Sequence, residues 1–303
     1  FHSAVREIPK ELWDPALYYD PVRTLYKTYS KIGAPVRGFQ KNPLKFRIPP
    51  VSAPFIERSQ FLMLEVTHQA LEDAGYLKKE FPRERTAVFV ALGTRGNLST
   101  MHHVRAHWVR FAESLKAVKE FSGLAHDIQR SIIDKAAKAF YQDMPELSED
   151  SCGGVFGSIV ASRISNCFNL GGTSLTMDAA CAASLAAVDM GVRGLRERRF
   201  DLVLAGAVDD RLDVVSYLLF SSLGALSGNG SFPFDERADG MVLGEGAGII
   251  LLKRLDEALR DGDKIYAVLC GIDTSSDGRA KSITAPDVNG QLRALESTYK
   301  NLP

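Results

Sequence analysis

Residues 174–209 read SLTMDAACAASLAAVDMGVRGLRERRFDLVLAGAVD, and the order of patterns in this stretch decides the fold class. Residues 174–178 make a short strand pattern. Cys181 follows three residues later and opens a helix over 181–198, and residues 200–208 return to an apolar strand. On the helix, Leu185, Val188, Val192 and Leu195 recur at steps of three and four, which predicts one buried face.

The same alternation continues outward. Residues 58–74 place Phe61, Leu64, Leu71 and Ala74 at near-helical spacing, with Gly75 at the expected C-cap. TAVFVAL at 86–92 predicts a buried strand. Residues 213–223 and 256–261 predict helices, and 247–253 and 265–272 predict strands. Alternating helices and near-continuously apolar strands imply an α/β fold, a sheet covered on both faces. Residues 1–50, rich in Pro and aromatics (Trp13, Tyr18, Tyr19, Tyr26, Tyr29), predict an irregular wrapping segment.

Residues 96–147 differ in character. Met101, Val104, Trp108, Phe111, Leu115 and Val118 mark one amphipathic helix, and Ile128, Ile132, Ala136 and Phe140 a second. Lying between two core strands, the pair predicts a helical insertion.

Composition narrows the function classes. The chain has 303 residues, with 37 Lys+Arg against 37 Asp+Glu, a net charge of zero. A polyanion binder carries a basic excess to neutralise phosphates, so nucleic acid is not the expected partner. Apolar residues make up 45% and charged residues 24%, as in globular domains. The apolar runs fall well short of the roughly 20 residues that span a bilayer, so no membrane is expected. Cysteines at 152, 167, 181 and 270 include no C-x-x-C pair, and they are too few for a disulfide scaffold. That usage suits a reducing, cytoplasmic compartment. The N-terminus FHSAVREIPKELWD shows no signal-peptide pattern and no initiator Met, so the chain is expected to be a piece of a longer protein.

Cys181 is the residue most able to do chemistry. A sulfur at a helix N-terminus feels the positive end of the helix dipole, which favours the thiolate. Ala179, Ala180, Ala182 and Ala183 leave room for a substrate to approach. Strand, sharp turn and helix make a nucleophile elbow with sulfur in place of a serine oxygen. The competing reading, a small buried core cysteine, is the common fate of free Cys.

DAACAAS at 178–184 resembles the active-site signature of β-ketoacyl synthases, the Claisen-condensing enzymes of fatty-acid and polyketide assembly. QFLMLEVTHQALEDAGY (60–76) and FGSIVASRISNCFNLGGTSLTMD (156–178) resemble family segments in the family's order. So do GALS (224–227), PFDERADGMVLGEGAGIILLKRLDEALRDGDKIYAVLCG (233–271) and SSDGRAKSITAPDVNGQ (275–291). The flavour is that of large polyketide, enediyne or polyunsaturated fatty-acid synthases. The resemblance implies a thiolase-like fold of α-β-α layers. Residues 1–262 would be the N-terminal half, and 263–303 the beginning of the C-terminal half.

The resemblance also implies roles. Cys181 would accept an acyl chain from a carrier protein as a thioester, its backbone N–H serving the oxyanion hole. Phe220 in FSSLGALS would line the acyl pocket, and Met241 in ADGMVLGEG would stand where the family often has a pocket Phe. Thr284 in SITAPDVNG would touch the phosphopantetheine arm. Decarboxylative condensation with malonyl-carrier protein would follow, in a homodimer, with no metal or nucleotide and no cofactor beyond the carrier's own phosphopantetheine. Two further readings share the resemblance: a non-catalytic chain-length or structural homologue, and a coenzyme A-dependent thiolase-like enzyme. The retained Cys181 argues against the first, and the pairing of DAACAAS with ADGMVLGEGAG against the second.

The departures are informative. Ala182 stands where the family commonly has serine, which removes a hydroxyl and keeps the thiol. The H-G-T-G-T and N-x-G-H segments that supply two catalytic histidines do not occur, nor does the G-F-G-G turn with the second oxyanion donor. All three are expected beyond Pro303, and the first family strand before Phe1. His102, His103 and His107 are expected on a solvated helix face, not around a metal. GEGAG at 244–248 leads into IILLKRL, a strand pattern, whereas a phosphate-cradling loop opens a helix.

Overall fold

The computed structural model describes residues 3–93, 96–142, 144–279, 282–283, 285–300 and 302. The strands are β1 (Arg6–Glu7), β2 (Ile32–Ala34), β3 (Thr86–Leu92), β4 (Ser174–Met177), β5 (Leu202–Asp209), β6 (Leu243–Gly244) and β7 (Gly246–Leu252). The α-helices begin with α1 (Pro15–Tyr18), α2 (Arg58–Asp73), α3 (Asn97–Lys116), α4 (Lys119–Ser122), α5 (His126–Tyr141) and α6 (Glu149–Val155). They continue with α7 (Ile159–Phe168), α8 (Ala183–Arg196), α9 (Val214–Leu223), α10 (Leu255–Arg260) and α11 (Val288–Lys300). These elements fall into two compact units whose segments interleave along the chain.

The first unit comprises residues 1–62, 93–159 and 208–247. Its sheet has the order β1-β2-β6, with β1 antiparallel to β2 and β2 parallel to β6. The N-terminal fifty residues are therefore more ordered than their Pro-rich composition suggests. Ile8 and Trp13 enter a core with Leu212, Tyr217 and Leu226, and the Tyr217 hydroxyl donates to the Ile32 carbonyl at 2.9 Å. The two helices expected within 96–147 are present as α3 and α5. Trp108 stacks against Phe140 with ring centroids 4.9 Å apart, while Phe111 and Ile128 keep exposed faces.

The second unit comprises residues 63–92, 160–207 and 248–303 and holds the sheet β4-β3-β5-β7. All seven residues of β3 are buried, which explains their unbroken apolar run. β4 lies parallel to β3, with Phe89 opposite Leu175 and Ala91 opposite Met177. Arg254 ties the element ends together. It donates to the Leu195 and Phe200 carbonyls at 2.9 and 2.6 Å and to Asp201 and Glu257 at 2.6 and 2.8 Å.

Three expectations are corrected here. The buried face of α8 is only partly the leucine-valine stripe: Leu195 is buried and Val188 packs against the core, but Leu185 is 65% exposed, and Ala183, Ala187, Gly191 and Gly194 complete the face against the sheet. Small residues let the helix sit close. A methyl on Gly191 would lie 2.7 Å from Val203, and one on Gly194 2.5 Å from the Phe200 ring. Residues 265–272 form no strand, because no described strand runs alongside to hydrogen-bond them. β7 is not covered on both faces, since Gly246, Gly248 and Ile250 are exposed in alternation.

Candidate active site

β4 ends at Met177, and α8 begins at Ala183. The chain turns between them through Asp178 and Ala179 into a single 3₁₀ turn over Ala180–Ala182, with Cys181 at its centre. The predicted strand-turn-helix is present, and the cysteine is exposed rather than part of the core. Ala180 has φ of +49°, the left-handed region that an L-alanine rarely occupies. Its N–H donates to the Asp178 carboxylate (Oδ1) at 2.8 Å. The Ala182 N–H donates to the Ala179 carbonyl at 3.2 Å, and the Ala183 N–H to the Ala180 carbonyl. The Cys181 N–H has no backbone acceptor among the described residues, which leaves it available to a developing oxyanion.

Exposure alone does not single out Cys181, because Cys152 and Cys270 are exposed as well. Position does. Cys152 lies well inside the short α6, Cys167 lies in the last turn of α7, and Cys270 lies in irregular chain. Cys181 alone stands in the turn that launches a 14-residue helix packed against the buried strand β3.

In the first unit the backbones of Phe220 and Met241 both hydrogen-bond to Ala225. The Ala225 N–H donates to the Phe220 carbonyl at 3.0 Å, and the Ala225 carbonyl accepts from the Met241 N–H at 2.9 Å. Phe220 is half-buried against the Tyr217 core, and Met241 is 42% exposed. Cys181 belongs to the second unit. Thr284 lies outside the described residues.

Sequence reasoning missed a buried polar cluster in the first unit. Glu57 accepts from the N–H groups of Leu98 and Ser99 at 3.2 and 2.8 Å, and so holds the N-terminus of α3. Gln60 donates to the Gly154 carbonyl at 2.7 Å, so nearby residues grip the entry and exit of the helical insertion. Burial pushes the Glu57 carboxyl up to about 7, against the opposing pull of those two N–H groups, and burial raises Asp210 to about 6. Burial also lowers Lys41, which donates to the Ala53 and Ile56 carbonyls at 3.1 and 2.5 Å. GEGAG supplies the remaining member. The Glu245 side chain is almost wholly buried and receives Arg58 at 2.9 Å and the Val36 N–H at 2.9 Å. The motif frames a structural glutamate and runs on into β7 with no helix after it, unlike a phosphate loop. The only signal for this cluster was that a Glu stands between glycines.

The histidines need one correction. His103 and His107 are exposed, with His103 Nδ1 2.8 Å from the Ser99 carbonyl. His102 turns inward: neither ring nitrogen has a partner among the described residues, and burial lowers its pKa. Among the described residues no group of three or more His, Cys, Asp or Glu side chains is placed to hold a metal ion. No described helix is long and apolar enough to cross a membrane.

Known proteins align with this arrangement along nearly the whole chain. Residues 2–258 match the family model for the β-ketoacyl synthase N-terminal domain. The polyunsaturated fatty acid synthase of Thraustochytrium sp. has a polypeptide that is 30% identical over 299 residues, which are 98% of this chain and 10% of that protein. Polyketide synthase PksN of Bacillus subtilis is 29% identical over 303 residues, 98% of this chain and 5% of that protein. The chain thus spans a tenth or less of the length of these two relatives. Among solved structures, the ketosynthase from module 6 of the bacillaene synthase of Bacillus subtilis 168 superposes with a TM-score of 0.74 at 27% identity. That match covers 98% of this chain and 43% of the other. A β-ketoacyl synthase from Burkholderia phymatum, at 20% identity and a TM-score of 0.72, shares the fold. With the thiolase-like fold, the strand-turn-helix around Cys181 and a family match over 2–258, this chain belongs to the β-ketoacyl synthase family.

Proposed function

We propose that this chain is the acyl-accepting part of a β-ketoacyl-carrier-protein synthase, with Cys181 as the nucleophile. The observation that carries the reading is the exposed thiol in the tight turn between β4 and α8, its N–H without a backbone acceptor among the described residues. The Cys181 thiolate attacks the thioester carbonyl of an acyl chain on a carrier protein. A new C–S bond forms, and the pantetheine sulfur leaves and takes up the proton that the cysteine lost. Malonyl-carrier protein then loses carbon dioxide, and its C2 carbanion attacks the acyl carbon. Cys181 is released, and the β-ketoacyl chain stays on the carrier.

Phe220 and Met241 line the acyl chain in this reading, and Thr284 touches the pantetheine arm. A longer, softer Met in place of Phe changes which chain is accepted. Two histidines outside this chain stabilise the enolate. Residues 1–262 are the N-terminal half of the synthase and 263–303 open its C-terminal half. The enzyme works as a cytoplasmic homodimer with an acyl carrier protein, and the chemistry calls for no metal, nucleotide or other cofactor.

The test is acyl transfer in the full-length protein that carries this chain. Incubation with an acyl-carrier protein should add one acyl mass to the peptide containing Cys181, and Cys181→Ala should abolish it. Malonyl-carrier protein should then release carbon dioxide and give β-ketoacyl product. No acylation of the wild type would point to a non-catalytic homologue. Acylation from the coenzyme A thioester alone would point to a thiolase-like enzyme.

A further inference from the structure

We propose that Asp178 is a positioning residue for Cys181: by accepting the Ala180 N–H it holds Ala180 in a left-handed conformation, and that conformation aims the thiol. The inference rests on Cys181 being the nucleophile.

Between Met177 and Ala183 the chain must reverse from strand to helix. It does so with no glycine, although left-handed backbone is glycine's province. Ala180 takes φ of +49° nonetheless. In that region an alanine Cβ crowds its own carbonyl, so something outside the residue must hold it. The Asp178 Oδ1 to Ala180 N–H hydrogen bond, 2.8 Å long and spanning two residues, is that hold. An Asp side chain in this position stands in for a backbone acceptor and closes a tight turn.

The consequence reaches the thiol through two further bonds. The Ala180 carbonyl receives the Ala183 N–H, the first residue of α8, and the Ala179 carbonyl receives the Ala182 N–H. Cys181 is therefore fixed on both sides by residues whose dihedrals follow from Ala180. Release of Ala180 to ordinary φ would swing the Cα–Cβ bond of Cys181 and its N–H together. The carboxylate is not an electrostatic activator, because a negative charge three residues ahead of a thiolate disfavours it. Its role is geometric, and a glycine could replace it.

The experiment measures Cys181 acylation, kcat and KM in the full-length protein for Asp178→Ala, Asp178→Asn and the double variant Asp178→Ala/Ala180→Gly. Asp178→Ala should lower kcat by about 10²-fold with little change in KM, as a misplaced reacting group does. Asp178→Asn, whose amide oxygen still accepts, should fall by less. The double variant should regain most of the loss, since glycine adopts φ near +50° unaided. All three variants remove the same charge, so their pH profiles of acylation should share one midpoint while their rates differ. An Asp178→Ala protein at the wild-type rate, a folded double variant with no recovery, or a midpoint that differs among the three variants would each overturn the proposal. Should Asp178→Ala not fold, Asp178→Glu asks the same question: it keeps the charge but overshoots the turn, and wild-type acylation by it is contrary to the proposal. Cys181→Ala, run alongside, separates the two readings. If it still acylates, the nucleophile assignment fails, whereas a silent Cys181→Ala beside a fully active Asp178→Ala defeats the positioning role alone.

Discussion

Cys152, Cys181 and Cys270 are exposed and Cys167 is half-buried, so accessibility does not decide which is the nucleophile. The distinguishing feature is backbone placement. Cys181 alone stands in a tight turn that feeds a long helix, its N–H without a backbone acceptor among the described residues. We therefore expect brief iodoacetamide treatment of the native full-length protein to label Cys181 first. Peptide mass mapping checks this, and earlier labelling of Cys152, Cys167 or Cys270 would contradict it. Cysteine, small neighbours and turn position were all legible in DAACAAS. The left-handed Ala180 was not, because alanine advertises no preference for positive φ and the hold on it comes from a side chain two residues away.

At the scale of the element, α8 shows how a helix is seated by what it lacks. Ala183, Ala187, Gly191 and Gly194 face the sheet, so the helix approaches close to β3 and β5 and Val203 and Phe200 fill the space above the glycines. Gly194→Ala should force the buried Phe200 ring to move. We expect a loss of about 1–3 kcal/mol, the usual cost of overpacking a filled core. Urea unfolding measures it, and an unchanged midpoint would show that the ring relaxes freely. The same element shows where periodicity misleads. Leu185, Val188, Val192 and Leu195 lie on a helical stripe, yet Leu185 is exposed. A large apolar residue marks a face that something covers, whereas a glycine marks the face that comes nearest.

At the scale of the molecule, the buried carboxyls of the first unit make stability depend on pH. The Glu57 carboxyl rises from its ordinary 4.5 to about 7 because burial disfavours its charge, and Asp210 rises from 3.8 to about 6 for the same reason. The folded state thus holds protons that the unfolded state has already released. Stability from these groups is complete below the unfolded values and is lost as pH rises to about 7, above which it is flat. His102, neutral when buried, acts in the opposite sense as pH falls below 6.5. The difference between wild type and Glu57→Gln isolates the carboxyl. Wild-type melting temperature minus that of the variant should fall between pH 4.5 and about 7, and level off above it. A flat difference would mean that Glu57 is ionised throughout. The homodimer we propose is checked by light scattering on the well-folded full-length protein at micromolar concentration, where a monomer mass would refute it. Obligate interfaces of this kind bury on the order of 2,000 Å² or more.

The succession of α2, β3, β4, α8, β5, α9, β7 and α10, the helices within 96–147 and the cysteine in its turn were determined by the sequence alone. Each is a local matter of periodicity, turn residues and neighbouring side-chain size. The tertiary structure decided everything that depends on a partner distant in the chain. Residues 265–272 carry a strand pattern and form none, because a strand needs another to bond with and none of those described runs beside it. The N-terminal segment looks irregular and gains β1 and β2, because β6, some 200 residues later, offers β2 the hydrogen bonds it needs. Glu57 and Glu245 look like surface charges and are buried, because the α3 N-terminus and Arg58 arrive to satisfy them. A sequence records which residues want burial or a bond. The fold settles which of them receive it, because the partner's position is a property of the whole chain.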